Sequence, residues 1–304
     1  KNNKFSYIVI FMDKDYTVTG TNEPITEEML NIILDLLAKR VYVVIITGGI
    51  LEHSLSNLIE PIEKSLVEKG LQDRFQYFTF YFMSGNGRVT WDNNTERKIV
   101  YCKDRFSEND VKVITRAFAL AFLDTVQEEF GLQSQEYRKD IILTESPEMI
   151  QKIFDNFIDT YKDILGIITI NNGENTVITL ELKNSQERQA REGLQNQEFV
   201  GRVYSRALKL MKNEQLSVDS VSHYGSTFID YNVRDKEKTF TEFIEQNNFQ
   251  DPLVISIGDS ATDYGFLGAS IEKGEKLSYL VGEPGKEGVA LPGNVIVWPV
   301  KGPE

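Results

Sequence analysis

Asp13, Lys14, Asp15, Tyr16 and Thr17 follow directly on the apolar run FSYIVIFM at residues 5–12. Carboxylates two residues apart on an extended chain point to the same side. One can attack phosphorus and form an aspartyl-phosphate, while the other protonates the departing oxygen and later activates water. Two more polar clusters follow apolar runs in the same way: Thr47-Gly48 after VYVVII (41–46), and Gly258-Asp259-Ser260-x-x-Asp263 after LVISI (253–257). If the three runs are neighbouring parallel strands, these residues converge beyond the strands' carboxyl ends, where open α/β sheets bind ligands. Asp13, Asp15, Asp259 and Asp263 gathered there would repel one another and call for a cation. With two histidines, His53 and His223, and one cysteine, Cys102, the ligands would be oxygens, which suits Mg²⁺. A hydroxyl such as that of Thr47 and backbone N–H groups at a helix start can hold phosphate oxygens, and a lysine completes the charge balance.

The elements that must position these groups read as strand, helix, strand, helix. Residues 5–12 and 41–46 have the continuous apolar pattern of strands buried on both faces. Between them, 26–40 carries Met29, Leu30, Ile33, Leu36 and Leu37 at helical spacing, with Thr26 as N-cap. Residues 50–69 predict a second helix, 77–83 a third strand and 88–101 a hairpin turning at Asn93-Asn94. From about 104 the pattern changes: a helix over 107–129, a short strand at 141–143, a helix after Ser146-Pro147, a hairpin around Asn172-Gly173, a helix over 198–212, and strands at 217–222 and 226–231. After 232 a helix at 236–246 and the strand at 253–257 restore the parallel pattern, which predicts right-handed crossovers in one sheet. The stretch 184–197 is polar, a loop or an exposed helix.

A net charge of −13 disfavours nucleic acid and anionic membrane surfaces as partners, both of which need a basic footprint. No run approaches the length of a membrane span. A lone cysteine allows no internal disulfide, and a reducing cytoplasm is the expected compartment.

These residues, in this order, resemble the motifs of the haloacid dehalogenase (HAD) superfamily of phosphohydrolases. Asp13, Asp15 and Thr17 look like its DxDxT box. The resemblance implies that Asp13 is the nucleophile, that Asp15 is the general acid and base, and that Asp13 and the Asp15 carbonyl ligate the metal. Thr47, with Gly48, is similar to the phosphate-binding second motif. The GDSxxD segment resembles the fourth, with Asp259 a metal ligand and Asp263 supporting the metal or the lysine. The third motif is a lysine on an upstream helix, where KEKTFTEFI offers Lys236 and Lys238. Matching the family pattern K-G-x-A-L-x-x-L onto Phe240 and Phe243 selects Lys236, with Glu237 where glycine is expected. Two further departures are Tyr16, where glycine is frequent, and Lys14, more polar than usual.

The interrupting module has the position of the C2 cap in Cof-type, sucrose-phosphate phosphatase, trehalose-phosphate phosphatase and phosphomannomutase-like branches, and MSGNGRVTW is similar to their NGA segment. The resemblance implies an α/β fold, a Rossmann-like parallel-sheet core (1–103 and 233–304) with an inserted α+β cap (104–232) that sets specificity. It implies a Mg²⁺-dependent phosphomonoester hydrolase for a small phosphorylated metabolite, foremost a sugar phosphate. Arg138, Arg188, Arg191, Arg202 and Arg206 are candidate substrate contacts in the cap. Two other readings stand beside this one. A phosphomutase uses the same two aspartates but asks for a strongly basic cap. A non-catalytic binding protein would retain only a degenerate site.

Overall fold

A computed structural model describes residues 5–20, 23–49, 51–83, 86–91, 96–173, 175–183, 197–214, 216, 221–224, 228–282 and 290–298. The chain begins β1 (Tyr7–Asp13), α1 (Glu27–Ala38), β2 (Tyr42–Thr47). A helical stretch follows, formed by α2 (Glu52–Ser54), a π turn (Leu55–Ile59) and α3 (Glu60–Glu68), then β3 (Phe78–Phe82), β4 (Gly87–Trp91) and β5 (Arg97–Tyr101). An insert carries α4 (Glu108–Phe130), α5 (Gln135–Leu143), α6 (Pro147–Thr160), α7 (Lys162–Leu165), β6 (Ile167–Gly173), β7 (Val177–Lys183), α8 (Gln197–Asn213), β8 (Val221–Tyr224) and β9 (Phe228–Asn232). The chain then returns with α9 (Lys236–Asn247), β10 (Pro252–Gly258), α10 (Tyr264–Gly268), β11 (Glu275–Val281) and β12 (Val295–Trp298). Two compact units result, one from 1–103 with 234–304 and one from 104–233. No helix among the described residues is long and apolar enough to cross a membrane.

The first unit is an eight-stranded sheet in the order β12-β11-β10-β1-β2-β3-β4-β5. It is parallel from β12 to β3, and β4 and β5 are antiparallel additions at one edge. Strand alternation divides its core. Ile10, Met12, Val43 and Ile45 face Ile33, Leu34 and Leu37 of α1 and Ile62 and Leu66 of α3. Val9, Phe11, Val44 and Ile46 face Phe240 and Phe243 of α9 and Phe266 and Leu267 of α10. Both faces being covered is why these strands read as unbroken apolar runs. The Thr26 hydroxyl accepts from the Met29 N–H at 3.2 Å and caps α1.

The second unit is an antiparallel sheet, β6-β7-β9-β8. Its core gathers Phe118 and Phe122 of α4, Phe154 and Phe157 of α6, Phe199 of α8 and Ile178 and Leu180 of β7. Ser107 and Asp110 form a reciprocal capping box at the start of α4.

Several expectations change. The strand at 141–143 is instead the last turn of α5: Tyr137 packs on Phe157 at 5.3 Å, Ile141 one turn later is buried, and Leu143 is 70% exposed. A strand would have buried 141 and 143 together, so helical spacing wins over a short apolar run. Asn172 and Gly173 lie in β6, paired with Ile178 and Val177, and the reversal comes after them, with Asn175 at φ 59°. The helix expected at 50–69 contains a π turn, and β11, β12 and α10 were not anticipated. Residues 92–95, 184–196, 217–220 and 225–227 lie outside the described residues, and with them the Asn93-Asn94 turn, Arg188 and Arg191.

Phe240 is fully buried against Phe11 at a centroid distance of 5.2 Å. Phe240→Ala is expected to destabilise the first unit by about 3–5 kcal/mol, read from the urea midpoint.

Candidate active site

β1 lies between β10 and β2, so the ends of all three strands are adjacent. Asp13 is the last residue of β1, and the Lys14 N–H extends the pairing by donating to the Ile46 carbonyl at 2.8 Å. Asp13 shares the parity of Val9 and Phe11, so its side chain goes to the face covered by α9. Lys236 opens α9 one turn before Phe240, on the same helix face. With Phe240 seated on Phe11, Lys236 is carried onto Asp13. Its Nζ donates to Asp13 Oδ1 and to Asp263 Oδ1, both at 2.6 Å. Lys238 is about 200° further round the helix. Its backbone N–H donates to the N-cap carboxylate of Asp235 at 2.5 Å.

At the end of β10 the chain turns sharply after Gly258. The backbone N–H groups of Asp259 and Ser260 donate to Asp263 Oδ2 at 2.9 and 3.2 Å. Both oxygens of the fully buried Asp263 are therefore engaged, one by the lysine and one by the turn. A β-carbon on Gly258 would sit 2.6 Å from Asp263 Cβ, so only glycine allows this approach. Carboxylate oxygens of Asp13, Asp259 and Asp263 lie within 4.8 Å of one another.

Asp15 is held separately. Lys14, 3% exposed, donates from Nζ to Asp15 Oδ1, and the Thr47 hydroxyl donates to Asp15 Oδ2 at 3.1 Å. Thr47 Oγ1 also accepts from the Gly49 N–H at 3.0 Å, and its bond to Asp15 ties the end of β2 to the loop after β1. Gly48 stands between these two residues, and nothing lies within 4 Å of a β-carbon built on it. The Thr17 hydroxyl is buried with no hydrogen-bond partner among the described residues.

Burial, reinforced by Asp263 and Asp259, pushes the Asp13 carboxyl well above its ordinary range despite Lys236. Burial and then Asp263 push Asp259 up to about 7. Burial acts to lower Lys236, but Asp13 and Asp263 outweigh it, and the ammonium is held above its usual value. Three carboxylates thus share one strong cation. The donor set fits a further hard divalent ion, with Asp13 and Asp259 the carboxylates best placed to hold it, since Asp263 is already saturated.

Sequence reasoning noted Lys14 only as an unusual charge. Its even parity on β1, alternating with Asp13, was the signal that it turns inward. Lys276 was missed. Its Nζ donates to the carbonyls of Phe266, Leu267 and Ala269, closing the end of α10 just beyond Asp263. Backbone partners leave no trace in sequence. Of the arginines in the insert, Arg138 pairs with Asp124 at 2.9 Å, Arg202 with Glu129 and Arg206 with Glu128.

No protein-family model and no curated protein matches the chain. Solved structures do. C-terminally truncated Plasmodium falciparum IMP-nucleotidase matches with a TM-score of 0.60 at 13% identity, over 90% of this chain and 67% of that one. Its ATP-bound form gives 0.58 at 15%, over 90% and 56%. Aspergillus fumigatus trehalose-6-phosphate phosphatase is less alike, at 0.48 and 12%, over 92% and 85%. The chain spans 55% of the length of another IMP-nucleotidase structure that it matches. At these identities the likeness is one of fold: an α/β core whose mostly parallel sheet is interrupted in sequence by an α+β insert.

Proposed function

We propose that the chain is a Mg²⁺-dependent phosphomonoester hydrolase acting on a small phosphorylated metabolite, with a sugar phosphate as the substrate class. One observation carries this reading: Asp13, at the end of a central parallel strand, lies under Lys236 in a cluster with Asp259 and Asp263. Asp13 attacks phosphorus, the bond to the ester oxygen breaks, and an aspartyl-phosphate forms. Asp15 gives a proton to the departing oxygen, then takes one from the water that hydrolyses the aspartyl-phosphate. Thr47, the Gly48 segment and Lys236 hold the phosphoryl oxygens. Asp13, Asp259 and the Asp15 carbonyl would hold the ion, with Asp263 fixing Lys236 and the turn after β10. When bound, Mg²⁺ supplies the charge that offsets repulsion between the Asp13 carboxylate and the phosphate. The inserted unit is assigned the choice of substrate. The fold shared with an IMP-nucleotidase supports a nucleoside monophosphate as the second substrate class.

Phosphate release from a panel of phosphate esters, with and without Mg²⁺, tests the reaction class. Asp13→Asn is expected to lower the rate about a thousandfold or more. Release from no ester above the Asp13→Asn background sinks the proposal.

The metal site has its own test. Asp259 titrates near 7 in the folded chain, against an ordinary 3.8. Between those values the folded state binds more protons than the unfolded, so this group's contribution to stability falls as pH rises from about 4 to about 7. Asp13, raised chiefly by burial, acts in the same direction. Mg²⁺ binds the deprotonated carboxylates and reverses the loss. The Mg²⁺-induced rise in unfolding temperature, measured against EDTA, is expected to be larger at pH 7.5 than at pH 5. An equal rise at both would rule out this cluster as the ion's site.

A further inference from the structure

From Val9 to Gly20 every residue is buried except Asp15 and Tyr16. The loop between them is closed from within. The Tyr16 N–H donates to the Thr19 carbonyl at 2.7 Å, and the N–H groups of Val18 and Thr19 donate to the Lys14 carbonyl at 2.9 and 3.0 Å. Lys14, Thr17, Val18 and Thr19 are all turned inward. Tyr16 is at the turned-out tip, with φ at 58°, the left-handed region that a residue with a β-carbon adopts only at a cost. The residue is 55% exposed. It makes no ring contact and no side-chain hydrogen bond with another described residue. A glycine or asparagine would occupy this backbone more easily, and the ring returns little to folding. Strain held by backbone hydrogen bonds alone, with no side-chain contact among the described residues, is a mark of a functional position.

Tyr16 follows Asp15 directly in the chain, and these two are the residues of this segment that solvent reaches. In the reaction proposed above, Asp15 serves the departing oxygen, so the organic part of the ester must come to it. We infer that Tyr16 is a substrate-selecting residue whose ring packs against the leaving group, so that the preferred esters carry their phosphate close to a ring with a flat or apolar face. The inference rests on the phosphatase reading and deepens it. The ring can be that of a nucleoside or of a hexose, and both present the same stacking chemistry to tyrosine.

The experiment compares wild type, Tyr16→Phe and Tyr16→Gly on inosine 5′-monophosphate, glucose 6-phosphate and glycerol 3-phosphate with Mg²⁺. Glycine suits the left-handed backbone, so Tyr16→Gly removes the ring without distorting the loop. For Tyr16→Gly the ratio of kcat/KM on a ring-bearing ester to that on glycerol 3-phosphate is expected to fall about tenfold, through KM, the size of one stacking contact. Tyr16→Phe keeps the ratio within about twofold, since the ring remains. The unfolding temperature of Tyr16→Gly is expected at or above that of wild type. A fall confined to the nucleotide identifies a nucleoside ring as the occupant, and one confined to glucose 6-phosphate a hexose ring. An unchanged ratio overturns the inference while leaving the phosphatase reading intact, as does an equal loss in Tyr16→Phe. Wild type that releases phosphate from glycerol 3-phosphate or other panel esters but from neither ring-bearing ester overturns the inference, whereas release from no ester of the panel overturns both.

Discussion

The buried ammonium of Lys236 between Asp13 and Asp263 is the interaction on which the first unit's functional end depends. Taking these groups out of water is expensive, and each is tolerated only because the others are there. Asp13 comes from β1, Asp263 from the turn after β10, and Lys236 from the first residue of α9. The aromatic contact between Phe11 and Phe240 sets their spacing from one turn further inside. Apolar packing thus fixes a charge geometry that the charges could not have fixed unaided.

The arrangement also separates two carboxylates that stand two residues apart. Asp13 is buried among like charges and driven toward the protonated form. Asp15 is instead held by Lys14 and the Thr47 hydroxyl. Environments that differ this much over one strand end allow neighbouring groups of the same chemistry to take different tasks.

The sequence disclosed the strands that matter because parallel strands covered on both faces are unbroken apolar runs, and 5–12, 41–46 and 253–257 all have that form. In the sequence Lys236 was preferred to Lys238 through the resemblance to the family pattern, and the fold brings Lys236 onto Asp13. The last two strands, β11 and β12, were not legible there. β11 alternates exposed and buried residues, and β12 leaves Ile296 and Trp298 half exposed, so neither resembles a core strand. The 141–143 segment misled because three apolar residues carry no period. The capping of α10 by Lys276 depends on backbone carbonyls brought by the fold, which no local pattern encodes.

β10 sits directly beside β1, yet the whole insert separates them in the chain. During synthesis β1 therefore emerges long before its partner on that side. Until β10 arrives, the nascent sheet exposes an open edge of strongly apolar sequence, the kind that invites pairing with other chains. The lysine and the third carboxylate arrive just as late, so Asp13 waits in water, ionised and unburied. Assembly of the site is thereby coupled to completion of the chain: a ribosome stalled within the insert carries a half-sheet prone to aggregation and an Asp13 without its lysine.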